Sequence, residues 1–440
     1  MKNNENVRVR IAPSPTGNLH IGTTRTSLFN YLFAKQNKGV FIVRIEDTDK
    51  ARSTPEFEKN ILDGLTWLGL TWDEFYRQSE RTDIYKKYLE KLIADGFAYE
   101  SKEEAQEEGQ RSSVIRFKNP NKVITFFDMI RGDITFDTTE LGDFVIAKSL
   151  EEPLYHLAVV VDDHEMEISH VIRGEDHISN TPRQILIGEA IEATQPIYAH
   201  IPLILSKERK KLSKRDGAQS ITEYKNMGYL KDALINFLAF LGWHPEGDTE
   251  ILNLQELINQ FDISRIQKGG AIFDTDKLDW FNKEYIKRIP NEDFAHIIES
   301  RTQVQISHPT FINIIKERIT VFEDIAPLLV PTGEFGHLLH DIEYTDISKA
   351  IWKDSTPELT REYLQHAISV LESLHESDIT AEKVKTALWD YATEKGRGAV
   401  LWPMRYILSG LDKSPDPFTL IEILGKEKSL VRLRDGVQKI

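Results

Sequence analysis

The sequence predicts an α/β fold: a Rossmann-like parallel-sheet domain with an inserted α+β domain, followed by an all-helical C-terminal region. Three observations carry that expectation. From Val7 to Gly96, β-type apolar runs alternate with helical periods, as in a parallel sheet with helices packed on it. From Phe97 short alternating segments replace that rhythm, which resumes at Leu157. Beyond Tyr224 nearly every apolar period is helical. The expected boundaries are 1–96 and 155–222 for the two halves of the split sheet domain, 97–154 for the insertion, and 223–290 and 291–440 for two helical regions.

Each element has its own local reason. Val7, Val9 and Ile11 alternate with Arg8 and Arg10, the period of a strand. Pro13, Pro15 and Gly17 then turn the chain. Leu28, Tyr31, Leu32 and Phe33 give residues 20–35 a helical apolar face, stopped at Asn37-Lys38-Gly39. Residues 40–45 form a second strand. Thr54-Pro55 supplies an N-cap and a first-turn proline for a helix with Phe57, Ile61, Leu65 and Leu68 on one face. A further helix covers 82–95 and stops at Gly96. In the insertion, strands are expected at 113–118, 123–129, 133–137 and 144–148. The unbroken apolar run 157–161 reads as a buried strand, Val171-Ile172 as another and 203–205 as the last, with a helix opening at Thr181-Pro182. Helices are expected at 230–241, 254–261, 311–329, 358–375 and 381–395, with junctions at Pro290 and at Pro415 and Pro417.

Length and composition narrow the class. At 440 residues the chain exceeds one ordinary core. No apolar run reaches the length of a membrane span, and the polar N-terminus leads straight into a strand, so neither membrane association nor a signal peptide is expected. Zero cysteines exclude disulfides, Fe–S clusters and thiolate zinc sites, which fits a cytoplasmic enzyme. A formal charge of −15 argues against a non-specific nucleic-acid binder, whose affinity comes from neutralising phosphates. Positive charge is local instead: six basic residues lie among the nine from 207 to 215, and a second cluster spans 426–439.

Two stretches carry the chemistry. The first is Ala12-Pro13-Ser14-Pro15-Thr16-Gly17-Asn18-Leu19-His20-Ile21-Gly22, which sets a histidine and a glycine at a helix start. The second is the basic loop Lys210-Lys211-Leu212-Ser213-Lys214-Arg215-Asp216-Gly217. Together they can hold a triphosphate from two sides, as attack at an α-phosphate requires. Such a reaction needs little covalent work from side chains, so positioning and charge stabilisation carry the rate. Alone, His20 reads as readily as a histidine capping its own turn. His156, His164, His170 and His177, near Asp162, Asp163 and Glu165, lack ligand-type spacing, so no metal cage is expected.

These motifs resemble those of bacterial glutamyl-tRNA synthetases, class I aminoacyl-tRNA synthetases. The resemblance runs along almost the whole chain and is most specific at 10–22, Val43-Arg44-Ile45-Glu46-Asp47-Thr48-Asp49, 155–163, 171–182 and Lys211-Leu212-Ser213-Lys214-Arg215. It implies a monomeric enzyme that joins glutamate to the 3′ end of glutamate tRNA through a glutamyl-adenylate. The sheet domain would be catalytic, 97–154 would bind the acceptor stem, 223–290 the stem, and 291–440 the anticodon. ATP would arrive with Mg²⁺. His20, Lys211 and Lys214 would be catalytic, and Gly22, Asp176, His177 and Leu205 would complete the ATP site. Arg10, Ala12, Ser14, Glu46, Tyr155 and Arg173 would line the glutamate pocket, the arginines facing carboxylates and Glu46 the α-ammonium. Unlike glutaminyl-tRNA synthetases, which carry an Asp-Asp-Thr-Asn type run, this chain has Glu46-Asp47-Thr48-Asp49.

Three departures from the family pattern matter. Val159 stands where some members have asparagine. The 99–116 stretch lacks the cysteines of a zinc site seen in many members, so no zinc is expected. No residue can be matched to the anticodon-reading arginine that some members use, which leaves charging of glutamine tRNA open. The alternatives are a paralogue that glutamylates a tRNA base, an inactive tRNA-binding module, and a small-molecule adenylyltransferase of the same fold.

Overall fold

The computed structural model describes residues 7–102, 113–212 and 219–440. They divide into two compact units, 1–285 and 286–440.

In the first unit, β1 (Arg8–Ile11), β2 (Val40–Ile45) and β3 (Glu74–Arg77) form a parallel sheet in the order β1-β2-β3. Helix α1 (Ile21–Gln36) joins β1 to β2, and α2 (Pro55–Trp67) joins β2 to β3. Thr54 caps α2 through its hydroxyl, with Pro55 at the first position. After α3 (Thr82–Ala94) the chain enters the insertion. There β4 (Ala98–Lys102), β5 (Ser113–Phe117), β8 (Phe144–Ser149) and β9 (Glu152–Pro153) pair antiparallel. The intervening hairpin, β6 (Val123–Asp128) and β7 (Gly132–Asp137), goes elsewhere.

The strands expected for one insertion are thus shared between two sheets. Helix α4 (Tyr155–Glu165) leads to β10 (His170–Gly174), and α5 (Thr181–Ala190) to β11 (Ile197–Ile201). β10 and β11 are parallel, and β6 adds to β11 at the single pair Tyr198–Asp128, so the hairpin extends the second sheet. β10 lies beside β1, where the Ser169 amide donates to the Arg8 carbonyl at 3.0 Å. The chain therefore runs outward from β1 to β3 and returns to the other side of β1. That is a topological switch point, where open α/β sheets place ligands at the strand ends.

One sequence expectation fails here. Residues 157–161 are helical, inside α4, not a strand. Leu157, Ala158, Val159, Val160 and Val161 are all buried, so this stretch of the helix shows no polar face and its run of valines mimics a buried strand. The last expected strand shrinks to β12 (Ile204–Leu205), paired with β13 (Ala271–Ile272). The unit ends with helices α6 (Ile221–Met227), α7 (Lys231–Ala239), α8 (Leu254–Gln260) and α9 (Thr275–Arg288). Buried Arg25 on α1 donates to the carbonyls of Leu241 and Pro202.

The second unit is helical throughout its described residues: α10 (Asn291–Thr302), α11 (Pro309–Arg318), α12 (Ile325–Leu329), α13 (Gly336–Leu339), α14 (Pro357–Ser373), α15 (Ala381–Lys395), α16 (Arg397–Ser409) and α17 (Pro417–Lys439), with short 3₁₀ turns between. The single helix expected over 311–329 breaks after Arg318, where the Asp324 carboxylate accepts from the amides of Thr320 and Val321 and opens a new turn. α17 kinks at Gly425, whose φ of 77° lies in the left-handed region that glycine enters freely. Three basic residues of the cluster at 426–439 turn inward. Lys426 donates to the carbonyls of Glu372 and Leu374, Lys428 to Leu338, and Arg432 to Leu408 and His340. Arg434 pairs with Glu372.

Candidate active site

Three strand ends and one helix build the first half of the site. Arg10, near the end of β1, is buried at 4% exposure, unlike the exposed strand face its neighbour Arg8 suggests. It donates to both oxygens of Asp163 on α4, at 3.0 and 3.2 Å. Arg44 on β2 is fully buried and holds Asp163 at 2.7 Å and Glu46 at 3.1 Å, with Asp162 at 3.6 Å. Burial pushes the Asp163 carboxyl up, but Arg10 and Arg44 outweigh it and hold the group below the usual carboxylate range. Glu46 comes out the other way. Burial raises its pKa, and Arg44 and Arg10 do not fully offset that. A buried carboxylate with charge still uncompensated favours a further cation beside it. The Glu46 amide donates to the Pro13 carbonyl at 3.0 Å, bringing the Ala12–Ser14 turn to the end of β2.

Arg173, at the end of β10, is 6% exposed, and its partners are all neutral. Nε donates to His200 Nε2 at 3.2 Å, Nη1 to Gln184 Oε1 at 2.7 Å and Nη2 to Thr181 Oγ1 at 2.8 Å. Among the described residues no carboxylate forms a salt bridge with it, and burial lowers its pKa. Three of five guanidinium N–H groups are used, leaving one on each terminal nitrogen. An uncompensated buried cation with a free N–H pair can pair with a carboxylate.

Tyr155, at the start of α4, contacts His177 Nδ1 through its hydroxyl at 3.1 Å. Burial, then Arg173, lowers the His177 pKa to about 4, and His156 falls to about 4 by burial and Arg183, so both are neutral near pH 7. A cavity of about 50 Å³ between α4 and α5 is lined by Val159, Asp163, Gln184 and Tyr198, among others. Arg10, Glu46, Tyr155 and Arg173 thus belong to one neighbourhood, in which the field of each reaches Tyr155.

The second half lies around His20 and the described residues on either side of the basic loop. His20 is the N-cap of α1: its Nδ1 accepts from the amides of Gly22 at 3.1 Å and Thr23 at 3.3 Å. The capping role is therefore real, and it fixes the tautomer with the proton on Nε2. A Cβ on Gly22 would come within 3.2 Å of the His20 ring, so Gly22 gives that ring its place. Lys211 pairs with Asp176 at 3.5 Å and bridges to Leu205. The Asp176 carboxylate folds over Gly174, at 2.4 Å from where a Cβ would stand. Lys207, from the same basic cluster, is turned away and pairs with Asp274 and Asp276. Downstream, Ser220 bridges His20 and the Ile221 amide donates to the Leu19 carbonyl at 2.9 Å. Of the described residues flanking the loop, Lys211 thus lies near Asp176 and Ser220 beside His20. Lys214 lies outside the described residues.

Sequence reading did not single out Arg44, Asp163, Thr181, Gln184 or His200, which hold the site residues in place. The adjacent Asp162 and Asp163 were visible, but their partners sit on strands far away in sequence. Among the described residues no group of three or more acidic or histidine side chains could hold a metal ion, and no helix is long and apolar enough to cross a membrane.

Known proteins resemble this chain along its length. The family model for tRNA synthetases class I (E and Q), catalytic domain, matches residues 6–112 and 100–280, and the anticodon binding domain model matches 254–437. A glutamate–tRNA ligase of Carboxydothermus hydrogenoformans is 40% identical over 97% of this chain and 99% of that protein. One of Listeria innocua is 38% identical over the full length of both. The crystal structure of a glutamate tRNA ligase from Elizabethkingia meningosepticum, in complex with its amino acid, superposes with a TM-score of 0.87 at 34% identity, covering 99% of each chain. With a parallel-sheet domain at its head, a helical unit at its end and these relatives along its whole length, the chain belongs to the glutamate–tRNA ligases among the class I tRNA synthetases.

Proposed function

We propose that this chain ligates glutamate to the 3′ end of glutamate tRNA at the expense of ATP. A substrate α-carboxylate oxygen attacks the α-phosphorus, the bond to the bridging oxygen breaks, and pyrophosphate leaves. A hydroxyl of the terminal ribose of the tRNA then attacks the acyl carbonyl, and AMP leaves. The observation that carries this reading is Arg173, a buried guanidinium with neutral partners and two N–H groups to spare. It receives one carboxylate of glutamate, while Arg10 contributes to the same pocket and Glu46 takes the α-ammonium. Ala12 and Ser14 line the approach, and Tyr155 closes it.

Gly22, Leu205, Asp176 and His177 lie around ATP, and His20, Lys211 and Lys214 stabilise charge that develops on the phosphoryl oxygens. Mg²⁺ enters with ATP rather than in a protein-built cage. Zinc plays no part, because a chain without cysteine lacks the usual donors of a structural site. The anticodon match over 254–437 weighs against a base-modifying paralogue, which lacks that region. The enzyme acts as a cytoplasmic monomer; no residue is matched to the anticodon-reading arginine of some family members, so charging of glutamine tRNA is the quantity to measure.

The test is charging of purified glutamate and glutamine tRNAs with labelled glutamate, before and after periodate oxidation of the terminal ribose. Label on intact glutamate tRNA, absent after oxidation, is expected. Label that survives oxidation would place the product on a base and overturn the reading.

A further inference from the structure

Arg173 does not set its own angle. Its Nε–H points at Nε2 of His200, on the neighbouring strand β11, and that imidazole is fully buried. On the opposite side of the ring, Nδ1 lies 2.7 Å from Oδ2 of Asp128, the last residue of β6 and also fully buried. The same oxygen accepts from the His200 amide at 2.9 Å, and the other carboxylate oxygen accepts from the amides of Ile130 at 3.0 Å and Arg131 at 2.9 Å. Every hydrogen bond around Asp128 comes from a donor. An ionised carboxylate only accepts, so the imidazole proton must sit on Nδ1 and Nε2 must present a lone pair. That lone pair is what Arg173 Nε–H meets.

We propose that His200, locked in its Nδ1–H tautomer by Asp128, is a positioning residue that aims the Arg173 guanidinium at the substrate carboxylate. This rests on the reading of Arg173 given above. The catalytic strand β10 contributes the cation, β11 the acceptor, and the inserted hairpin the carboxylate that fixes the acceptor. Gln184 and Thr181 hold the terminal nitrogens, but only the His200 contact depends on a proton. If Nε2 is protonated, a donor faces a donor at 3.2 Å and two cations stand side by side.

The groups facing His200 are Asp128 from β6, Arg131 from the hairpin turn, Arg173 from β10, uncharged Thr181 from α5, His177 from the 3₁₀ turn, and Tyr198 on its own strand. Burial lowers the His200 pKa, Asp128 raises it, and Arg173 lowers it again, with a net fall. The working form is thus the neutral one at physiological pH, and it is lost only as pH drops through a value below that of a free imidazole.

The test is the KM for glutamate in tRNA charging, measured against pH for the full-length enzyme and its His200→Asn, His200→Gln and Arg173→Ala variants. An asparagine amide reaches Asp128 but not Arg173, whereas a glutamine oxygen reaches the place of Nε2. His200→Asn is expected to raise the glutamate KM about tenfold, the size of one lost hydrogen bond to a charged group, with kcat and the ATP KM little changed. His200→Gln should recover most of the loss and abolish the acid rise in glutamate KM that the unmodified enzyme shows. The proposal is overturned if His200→Asn leaves the glutamate KM unchanged, or if the acid rise persists in His200→Gln. It is equally overturned if the unmodified enzyme shows no acid rise, an outcome that requires no variant to fold. An unchanged glutamate KM in Arg173→Ala would instead remove the reading of Arg173 on which the inference stands.

Discussion

Arg10 and Arg173 are both buried guanidiniums, yet their surroundings differ in sign. Arg10 is already paired with Asp163, while Arg173 is held by an imidazole, an amide and a hydroxyl. The incoming carboxylate should therefore depend most on Arg173. Arg173→Ala is expected to raise the glutamate KM by roughly two orders of magnitude, from a loss of about 2–4 kcal/mol at a buried charge, and to leave the ATP KM nearly unchanged. Equal losses for both substrates would point to damage of the sheet. Glu46 supplies a second prediction, with its sign fixed by a folded-state pKa raised by burial. A raised carboxylate pKa penalises the fold at any pH above the unfolded value. Glu46→Gln should therefore not lower Tm at neutral pH, while it weakens glutamate binding through the lost ammonium partner. Thermal melts at pH 5 and pH 8, beside glutamate KM values, check both halves. Arg10, Glu46 and Arg173 were legible in the sequence because they end strands beside recognisable motifs. Asp163 was not assigned a role, since its pairing with Arg10 joins positions 153 residues apart.

At the scale of elements, what the sequence showed depended on whether an element has a polar face. α2 and α15 do, with caps at Thr54 and Thr380, and their positions were readable to within a residue or two; α1 is buried almost all round and was readable from its stop at Asn37-Lys38-Gly39 instead. α4 does not over 157–161, and its valines there read as a strand. The hairpin β6–β7 alternates perfectly, but alternation cannot reveal which sheet a strand joins. The basic residues of α17 illustrate the same limit. They invited a phosphate-binding role, but the side chains of Lys426, Lys428 and Arg432 cap carbonyls within the helical unit. Arg432→Ala is accordingly expected to cost about 2–3 kcal/mol, because it leaves the carbonyls of Leu408 and His340 without a charged donor. A clear fall in Tm with an unchanged salt dependence of tRNA binding is the expected outcome. A flattened salt slope at constant Tm would restore the phosphate role. On the basic loop, Lys214→Ala should slow adenylate formation by roughly two to three orders of magnitude with little change in ATP affinity, as single-turnover measurements would show.

For the whole molecule, the split sheet explains how distant stretches make one site. β1 and β10 lie side by side at the switch point, so Arg10 and Arg173 come from segments separated by an entire insertion. The motif at 12–22 and the segment after the basic loop meet through the His20–Ser220 bridge. Metal dependence is a property of this assembled site. Enzyme stripped with EDTA should regain full activity with Mg²⁺ alone, and stoichiometric zinc by elemental analysis would contradict the expectation from zero cysteines. The most direct test of the central claim, that an uncompensated buried arginine receives the substrate, is a crystal structure of this chain with bound glutamate. A substrate carboxylate bridging both terminal nitrogens of Arg173, with Glu46 facing the ammonium, is the predicted result. Glutamate bound with both carboxylates away from Arg173 would contradict it.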